Sequence, residues 1–242
     1  MKLNRLIFTT AILSAVSVQA QTTEKKNQLE FSTGYNFGYL KNLEFAPVSM
    51  YEYEGSVYKL NYTHTSKKEN LFEIKMDYLS SELKTDKLSN LNNDFAKVGL
   101  GFSYLKKIYD KDRFVIYGGL QSQTNTSIYS NPNTSSFNNE DYYTLHQEFG
   151  ITGRFRYQCS EKQYLSSKLT LPVVLLRVTN AEGKFYTIDN YQSVLWELEY
   201  GYKLSNHFDV KAVYNFNYAR LQVPSAYREL QHQLNLGINY KF

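Results

Sequence analysis

The chain closes on Leu234-Asn235-Leu236-Gly237-Ile238-Asn239-Tyr240-Lys241-Phe242, and this stretch decides the fold. Leu234, Leu236, Ile238, Tyr240 and Phe242 occupy every second position, with Asn235, Gly237 and Asn239 between them. Successive side chains of an extended chain point to opposite faces, so the stretch is a strand with one apolar and one polar side. A helical period does not fit it.

Upstream, the same alternation recurs about ten times from residue 27 onward. Leu29, Phe31, Tyr35, Phe37 and Tyr39 oppose Glu30, Ser32, Gly34 and Asn36; Tyr58, Leu60 and Tyr62 oppose Lys59, Asn61 and Thr63. Phe72, Ile74, Met76 and Tyr78 alternate with Glu73, Lys75 and Asp77; Ala96, Val98, Leu100, Phe102 and Tyr104 with Lys97, Gly99, Gly101 and Ser103. A weaker fifth segment carries Phe114, Ile116 and Leu120. The sixth sets Tyr143, Leu145, Phe149, Ile151, Phe155 and Tyr157 against His146, Glu148, Thr152, Arg154 and Arg156. Leu165, Leu169, Leu171 and Val173 oppose Ser166, Lys168 and Thr170 in the seventh. Val194, Trp196, Leu198, Tyr200 and Tyr202 then oppose Glu197 and Glu199, and Phe208 to Tyr218 alternate with Asp209, Lys211, Asn215 and Asn217.

The gaps between segments alternate in length. Short ones centre on Ser66–Asn70, Lys107–Asp112, Ser160–Lys162 and Ser205–His207; long ones fall at Leu40–Glu54, Ser80–Asn93, Gln123–Tyr142, Val174–Asn190 and Ala219–Glu229. Pro47, Pro132 and Pro224 lie in long gaps and Pro172 near a strand end, as expected of a residue that cannot donate to a sheet ladder. Short turns on one rim and long loops on the other describe an up-and-down antiparallel sheet.

Composition narrows the class. Among 242 residues stand 23 Tyr, 15 Phe and one Trp, yet the mean hydropathy is −0.50. No stretch beyond the N-terminus approaches the roughly 20 apolar residues of a spanning helix. The single Cys159 excludes an internal disulfide framework and a cysteine-rich zinc site, and it reads as a small, partly buried residue. A net charge of +4, from 27 basic and 23 acidic residues, is too balanced to argue for nucleic acid. At the N-terminus, Lys2 and Arg5 precede an apolar stretch from Leu6 to Val18, and Val18-Gln19-Ala20 offers a cleavage site. Residues 1–20 therefore read as a secretory signal peptide, and 21–242 as one mature domain.

Periodicity alone does not say which face looks inward. The apolar face carries too much Tyr, Phe, Leu and Trp for the interior of a barrel of about ten strands. The polar face carries Gly34, Gly38, Gly99, Gly101, Gly119, Gly150, Gly201 and Gly237, which suit a crowded lumen. An outward apolar band with aromatics at its rims suits lipid, and closure removes the edges that lipid would leave unpaired.

With its export signal and its terminal alternation through Leu236, Ile238, Tyr240 and Phe242, the chain resembles the single-chain bacterial outer-membrane β-barrels. The resemblance covers 27–242 in pattern. It implies an all-β transmembrane up-and-down barrel of about ten strands, or eight or twelve if segments five and seven are misread. It also implies Gram-negative outer-membrane lipid as surroundings, short turns and both termini on the periplasmic side, and a C-terminal strand read by the barrel-assembly machinery. Gln21, directly after the cleavage site, is similar to a Bacteroidetes-type export signal.

The inward charges by parity are Glu30, Glu73, Asp77, Glu148, Glu197, Glu199 and Asp209 against Lys59, Lys75, Lys97, Arg154, Arg156, Lys168 and Lys211. An ion-selective pore would show an excess of one sign. A balanced set reads as an interlocked network, with His146 a member, that plugs a narrow lumen. No cofactor or metal site is expected. Ten-stranded outer-membrane proteases use an Asp-His couple that has no counterpart here; the nearest pair is His146 with Glu148. His64-Thr65-Ser66 resembles the His-x-Ser pair of outer-membrane phospholipases but lies at a short turn, away from that family's outer-leaflet site. Asn125-Thr126-Ser127 and Asn133-Thr134-Ser135 match a glycosylation pattern and read as polar loop. The loop Gln123–Tyr142, with Tyr129, Phe137 and Tyr142, either closes a hairpin or offers exposed aromatics to a surface ligand. The expectation is a non-catalytic structural or surface-interaction barrel; the alternatives are a narrow solute channel and a surface hydrolase.

Overall fold

The computed structural model describes residues 25–45, 50–85, 93–130, 142–179, 182–222 and 226–242. The expected signal peptide lies outside these residues, as do Pro47, Pro132, Phe137, Asn133-Thr134-Ser135 and Pro224. Every regular element among the described residues is a strand: β1 (Asn27–Asn42), β2 (Tyr51–Thr65), β3 (Leu71–Lys84), β4 (Asn93–Lys111), β5 (Phe114–Ser130), β6 (Tyr142–Gln158), β7 (Gln163–Thr179), β8 (Gly183–Thr187), β9 (Tyr191–Lys203), β10 (Phe208–Leu221) and β11 (Tyr227–Lys241). Each pairs antiparallel with its neighbours, and β6–β7 and β1–β11 pairing closes a barrel of ten strands. The terminal stretch is what closes it: Gln28 stands opposite Lys241, and the register runs unbroken to Asn42 opposite Tyr227.

The extra strand, β8, pairs with the upper half of β7, Val174–Val178, at the long-loop end. The β7–β9 ladder ends at Thr170 opposite Leu195. Two residues further on stands Pro172, which has no N–H to offer. Proline thus ends the pairing from inside β7 rather than marking the end of that strand. Beside it a bulge opposite Phe149 and Gly150 inserts one residue. Inward positions in β7 are consequently even-numbered up to Pro172 and odd-numbered from Leu175.

The strands run further than their apolar segments. Positions read as long loops are continuous strand at Tyr51–Glu54, Gln123–Ser130, Val174–Thr179 and Ala219–Leu221. Asn125-Thr126-Ser127 therefore lies within β5 and not in a loop. On the short-turn rim, Glu69 and Asp112 adopt φ of 58° and 56°, the left-handed conformation that tight hairpins require.

In the short-turn half the apolar face points outward. Phe31, Tyr35, Leu60, Met76, Phe102, Leu120, Ile151, Leu234, Leu236 and Ile238 are all exposed, Leu236 by 71%. Along β1 this exterior runs from Leu29 to Tyr39, about 33 Å of strand, or about 25 Å of height at the ~40° tilt of barrel strands. That is the height of the lipid-facing band of an outer-membrane barrel. Tyr104, Tyr109, Phe114, Phe208 and Phe242 fringe its lower edge.

In the long-loop half the sense inverts. Glu52, Glu54, Glu82 and Asp94 face outward, while Leu40, Tyr51, Tyr53, Leu79, Leu83, Phe95, Tyr129, Leu175, Tyr191, Leu221 and Tyr227 are buried within the barrel as one apolar core. Outside the bilayer the exterior meets water, so grease is best buried in the lumen and charge is best placed outside. This corrects two expectations. The lumen is not polar throughout, and Tyr129 and Tyr142 of the segment after Gln123 turn toward the core rather than to solvent. Tyr129 is 1% exposed, and Tyr142 packs against that core.

Candidate functional site

The lumen is layered. Nearest the short turns, β3, β4, β6, β7 and β9 converge on a charge cluster centred on Glu73. Its carboxylate accepts from Arg154 Nη1 at 2.5 Å, Lys168 Nζ at 2.9 Å and Ser103 Oγ at 2.8 Å. Lys75 Nζ lies 2.5 Å from Glu197, which Arg154 also approaches at 3.7 Å. Beside it, Lys211 bridges Glu30 at 2.7 Å and Glu199 at 3.2 Å. Asp209 pairs with Lys241. Arg156 does not join these pairs; its guanidinium lies 3.9 Å over the ring of Tyr164. Lys59 and Asp77 stand opposite each other across β2 and β3. Two glycines make room for this chemistry: the Asp77 carboxylate occupies the space a side chain at Gly99 would need, and the Tyr164 ring that of Gly201.

Above the charges comes a layer of amides. Gln231 Nε2 donates to Asn36 at 2.7 Å and Asn217 to Gln231 at 2.9 Å. Above that, within the apolar core, a second polar set is sealed in. Lys97 Nζ donates to both oxygens of Glu229 at 2.9 Å. The hydroxyls of Tyr53 and Tyr227 donate to the same carboxylate at 2.9 and 2.7 Å. Tyr191 donates to Glu148. Arg177 donates to Glu44 at 3.2 Å and to Asn42 at 3.4 Å.

All fifteen charged and His positions expected inward lie in the lumen wall, but not in one network. Glu30, Glu73, Lys75, Arg154, Lys168, Glu197, Glu199 and Lys211 form the lower cluster, while Lys97 and Glu148 belong to the upper set. His146 and Glu148 do not act as a couple: the His146 ring meets Tyr227 edge-on at 4.9 Å, and Glu148 is taken by Tyr191. Glu229 and Arg177 were missed because their segments read as loops. The parity of Gln231 and Gln233 extends directly to Glu229, whereas the bulge in β7 hides Arg177. The other histidines stand apart. His64 Nδ1 donates to Asn27 Oδ1 at 2.9 Å at the base of β2, and His232 bonds Tyr214 at 2.8 Å on the exterior. Cys159 is a half-buried thiol. On the β8 hairpin, Glu182 and Lys184 pair at 2.5 Å, which holds the carboxyl below and the ammonium above their ordinary values. No group of three or more His, Cys, Asp or Glu among the described residues is arranged to hold a metal ion.

The layering leaves a cavity of about 520 Å³ in the short-turn half. It reaches from Lys25, Lys26 and Lys67 at the mouth up to Asn217 and Gln231, beneath the apolar core. The lumen is therefore a vestibule open at the short turns, with the aromatic and aliphatic core above it.

No protein-family profile and no curated protein sequence matches the chain. Solved structures do. The outer membrane protease OmpT from Escherichia coli superposes with a TM-score of 0.60 at 10% identity, covering 93% of this chain and 99% of that one. An outer membrane channel from Pseudomonas putida F1 superposes with a TM-score of 0.50 at 6% identity, covering 93% and 98%. A protease and a channel on one scaffold say nothing of activity. What they share with this chain is the closed antiparallel β-barrel fold of outer-membrane proteins.

Proposed function

We propose that the chain is a non-catalytic barrel of the outer membrane, with a structural or surface-interaction role and a lumen closed on its outer side. The apolar core inside the long-loop half is the observation that carries this reading. A conducting pore needs a continuous wetted path, and Leu83, Tyr129, Tyr191 and Leu221, each 0–1% exposed, fill the cross-section where that path would run. Membrane residence is supported by the exposed apolar band of lipid-core height, and the short turns and paired termini face the periplasm. The C-terminal strand, with Leu236, Ile238, Tyr240 and Phe242 outward, serves as the segment handled by the barrel-assembly machinery. Absence of catalysis is supported by the engagement of Glu148 with Tyr191 and of His146 with Tyr227, which leaves neither free to act with the other as an acid-base couple among the described residues.

A narrow channel is the second reading, favoured by the vestibule. Planar-bilayer recording separates the two. The closed barrel is silent, and truncating the core by Tyr129→Ala with Tyr191→Ala creates current. Reproducible single-channel steps from the unaltered chain would overturn closure. Bulky substitution at Gly119 does not serve as this test, because a side chain there meets the backbone of Tyr104 before it meets the lumen.

A further inference from the structure

The vestibule carries an excess of positive charge that its own carboxylates do not neutralise. Among the described residues, ten basic and six acidic side chains line it, and one of the ten, Lys97 at its roof, is taken by Glu229 of the upper set. Glu30, Glu73, Glu197 and Glu199 are already paired with Lys211, Arg154, Lys168 and Lys75. Glu69 at the mouth is held by Lys107. Asp77 lies opposite Lys59. What remains is Arg156, flat on Tyr164, and Lys25, Lys26 and Lys67 around the mouth, none of which has a carboxylate partner among the described residues. Lys25 Nζ donates a hydrogen bond to the carbonyl of Asn206 at 2.7 Å.

We propose that this vestibule is a binding site for a compact polyanion, a di- or tricarboxylate or a phosphorylated small molecule, entering from the short-turn side. The ring stack on Tyr164 pre-orients the Arg156 fork, which suits bidentate capture of a carboxylate or phosphate. The lysines add a local positive field at the mouth, which concentrates anions there. A volume of about 520 Å³ admits such a molecule with water, and the apolar core above stops it from passing through. The site itself follows from lumen geometry; only its assignment to the periplasm rests on the function proposed above.

The test is isothermal titration of the chain from residue 21, folded in uncharged detergent micelles at low salt, with citrate and with pyrophosphate as probes. Saturable binding is expected with at least one probe, and the tighter probe identifies carboxylate or phosphate as the preferred group. Arg156→Gln is expected to weaken it about tenfold, Arg156→Lys, which keeps the charge but loses the stacked fork, to weaken it less than Arg156→Gln, and Lys106→Gln, an exposed lysine on the outer wall, to leave it unchanged. If Arg156→Gln fails to give the strand circular dichroism of the parent, Lys67→Gln on the exposed turn replaces it with loss in the same direction. Absence of saturable heat with both probes overturns the proposal. So does a loss in Lys106→Gln equal to that in the lumen variant, which would mean diffuse surface charge.

Discussion

Breaking the sealed pair Lys97–Glu229 tests whether the upper lumen is a dry interior. The two side chains are 9% and 7% exposed, and the ammonium reaches both carboxylate oxygens at 2.9 Å. Tyr53 and Tyr227 complete the coordination of Glu229. Glu229→Ala strands an ammonium and two hydroxyls among Tyr, Leu and Phe. Removing one partner of a buried pair costs about 3–5 kcal/mol. Each hydroxyl left unpaired adds about 1–3 kcal/mol unless water enters, so the variant should lose at least about 4 kcal/mol. Lys97→Met leaves Glu229 its two tyrosine donors and should cost about 3 kcal/mol. The double variant Lys97→Met/Glu229→Leu removes both charges and keeps the volume. Only the hydroxyl penalty then remains, so its cost falls well below the sum of the singles, with a coupling of about 3 kcal/mol. Equilibrium urea unfolding in micelles, followed by strand circular dichroism, measures all three. Singles costing under about 1 kcal/mol, the range of a wet surface pair, or strict additivity, would refute a dry upper lumen.

Three further outcomes follow from the same geometry. Gly34→Val should destabilise the barrel by about 1–3 kcal/mol or block closure, since a side chain there meets the backbone of Leu234 and Asn235 on the closing strand β11; refolding yield on a gel that separates folded from unfolded barrel reports it. Asp112→Gly should raise the unfolding free energy by up to about 1 kcal/mol by relieving a left-handed residue in the β4–β5 turn, seen as a shifted urea midpoint. Trp196, the single tryptophan, faces outward at 36% exposure; its fluorescence in liposomes should be quenched by lipids labelled in the acyl chain and little affected by aqueous iodide.

The lower half of the molecule was legible because lipid outside and charge inside give every strand the same signed alternation. Glu73 between Phe72 and Ile74, or Lys211 between Val210 and Ala212, declares its face unaided. The upper half was not, because period two fixes that faces differ and leaves open which is which. The sign flips where lipid gives way to water. The flip does leave a trace: apolar doublets at Tyr39-Leu40, Val57-Tyr58, Tyr78-Leu79 and Ile128-Tyr129, where the last lipid-facing residue adjoins the first core residue. Without that reading, Tyr51, Tyr53, Leu83 and Tyr227 fall into apparent loops. Arg177 was concealed differently, by one bulge residue that shifts parity in mid-strand. β8 was not visible as a segment, because its five residues, Gly183-Lys184-Phe185-Tyr186-Thr187, show no alternation long enough to count.

One closed wall turns its grease toward lipid below and toward its own axis above. Single cysteines placed in a Cys159→Ser background test it at three heights on neighbouring strands. Labelling in sealed liposomes with a membrane-impermeant maleimide should be fast at Glu52→Cys, outward above the band. It should be slow at Leu60→Cys until detergent replaces the bilayer, and slow in both media at Leu79→Cys, inside the apolar core. Rapid labelling of Leu60→Cys in intact liposomes, or of Leu79→Cys in the folded barrel, would contradict it.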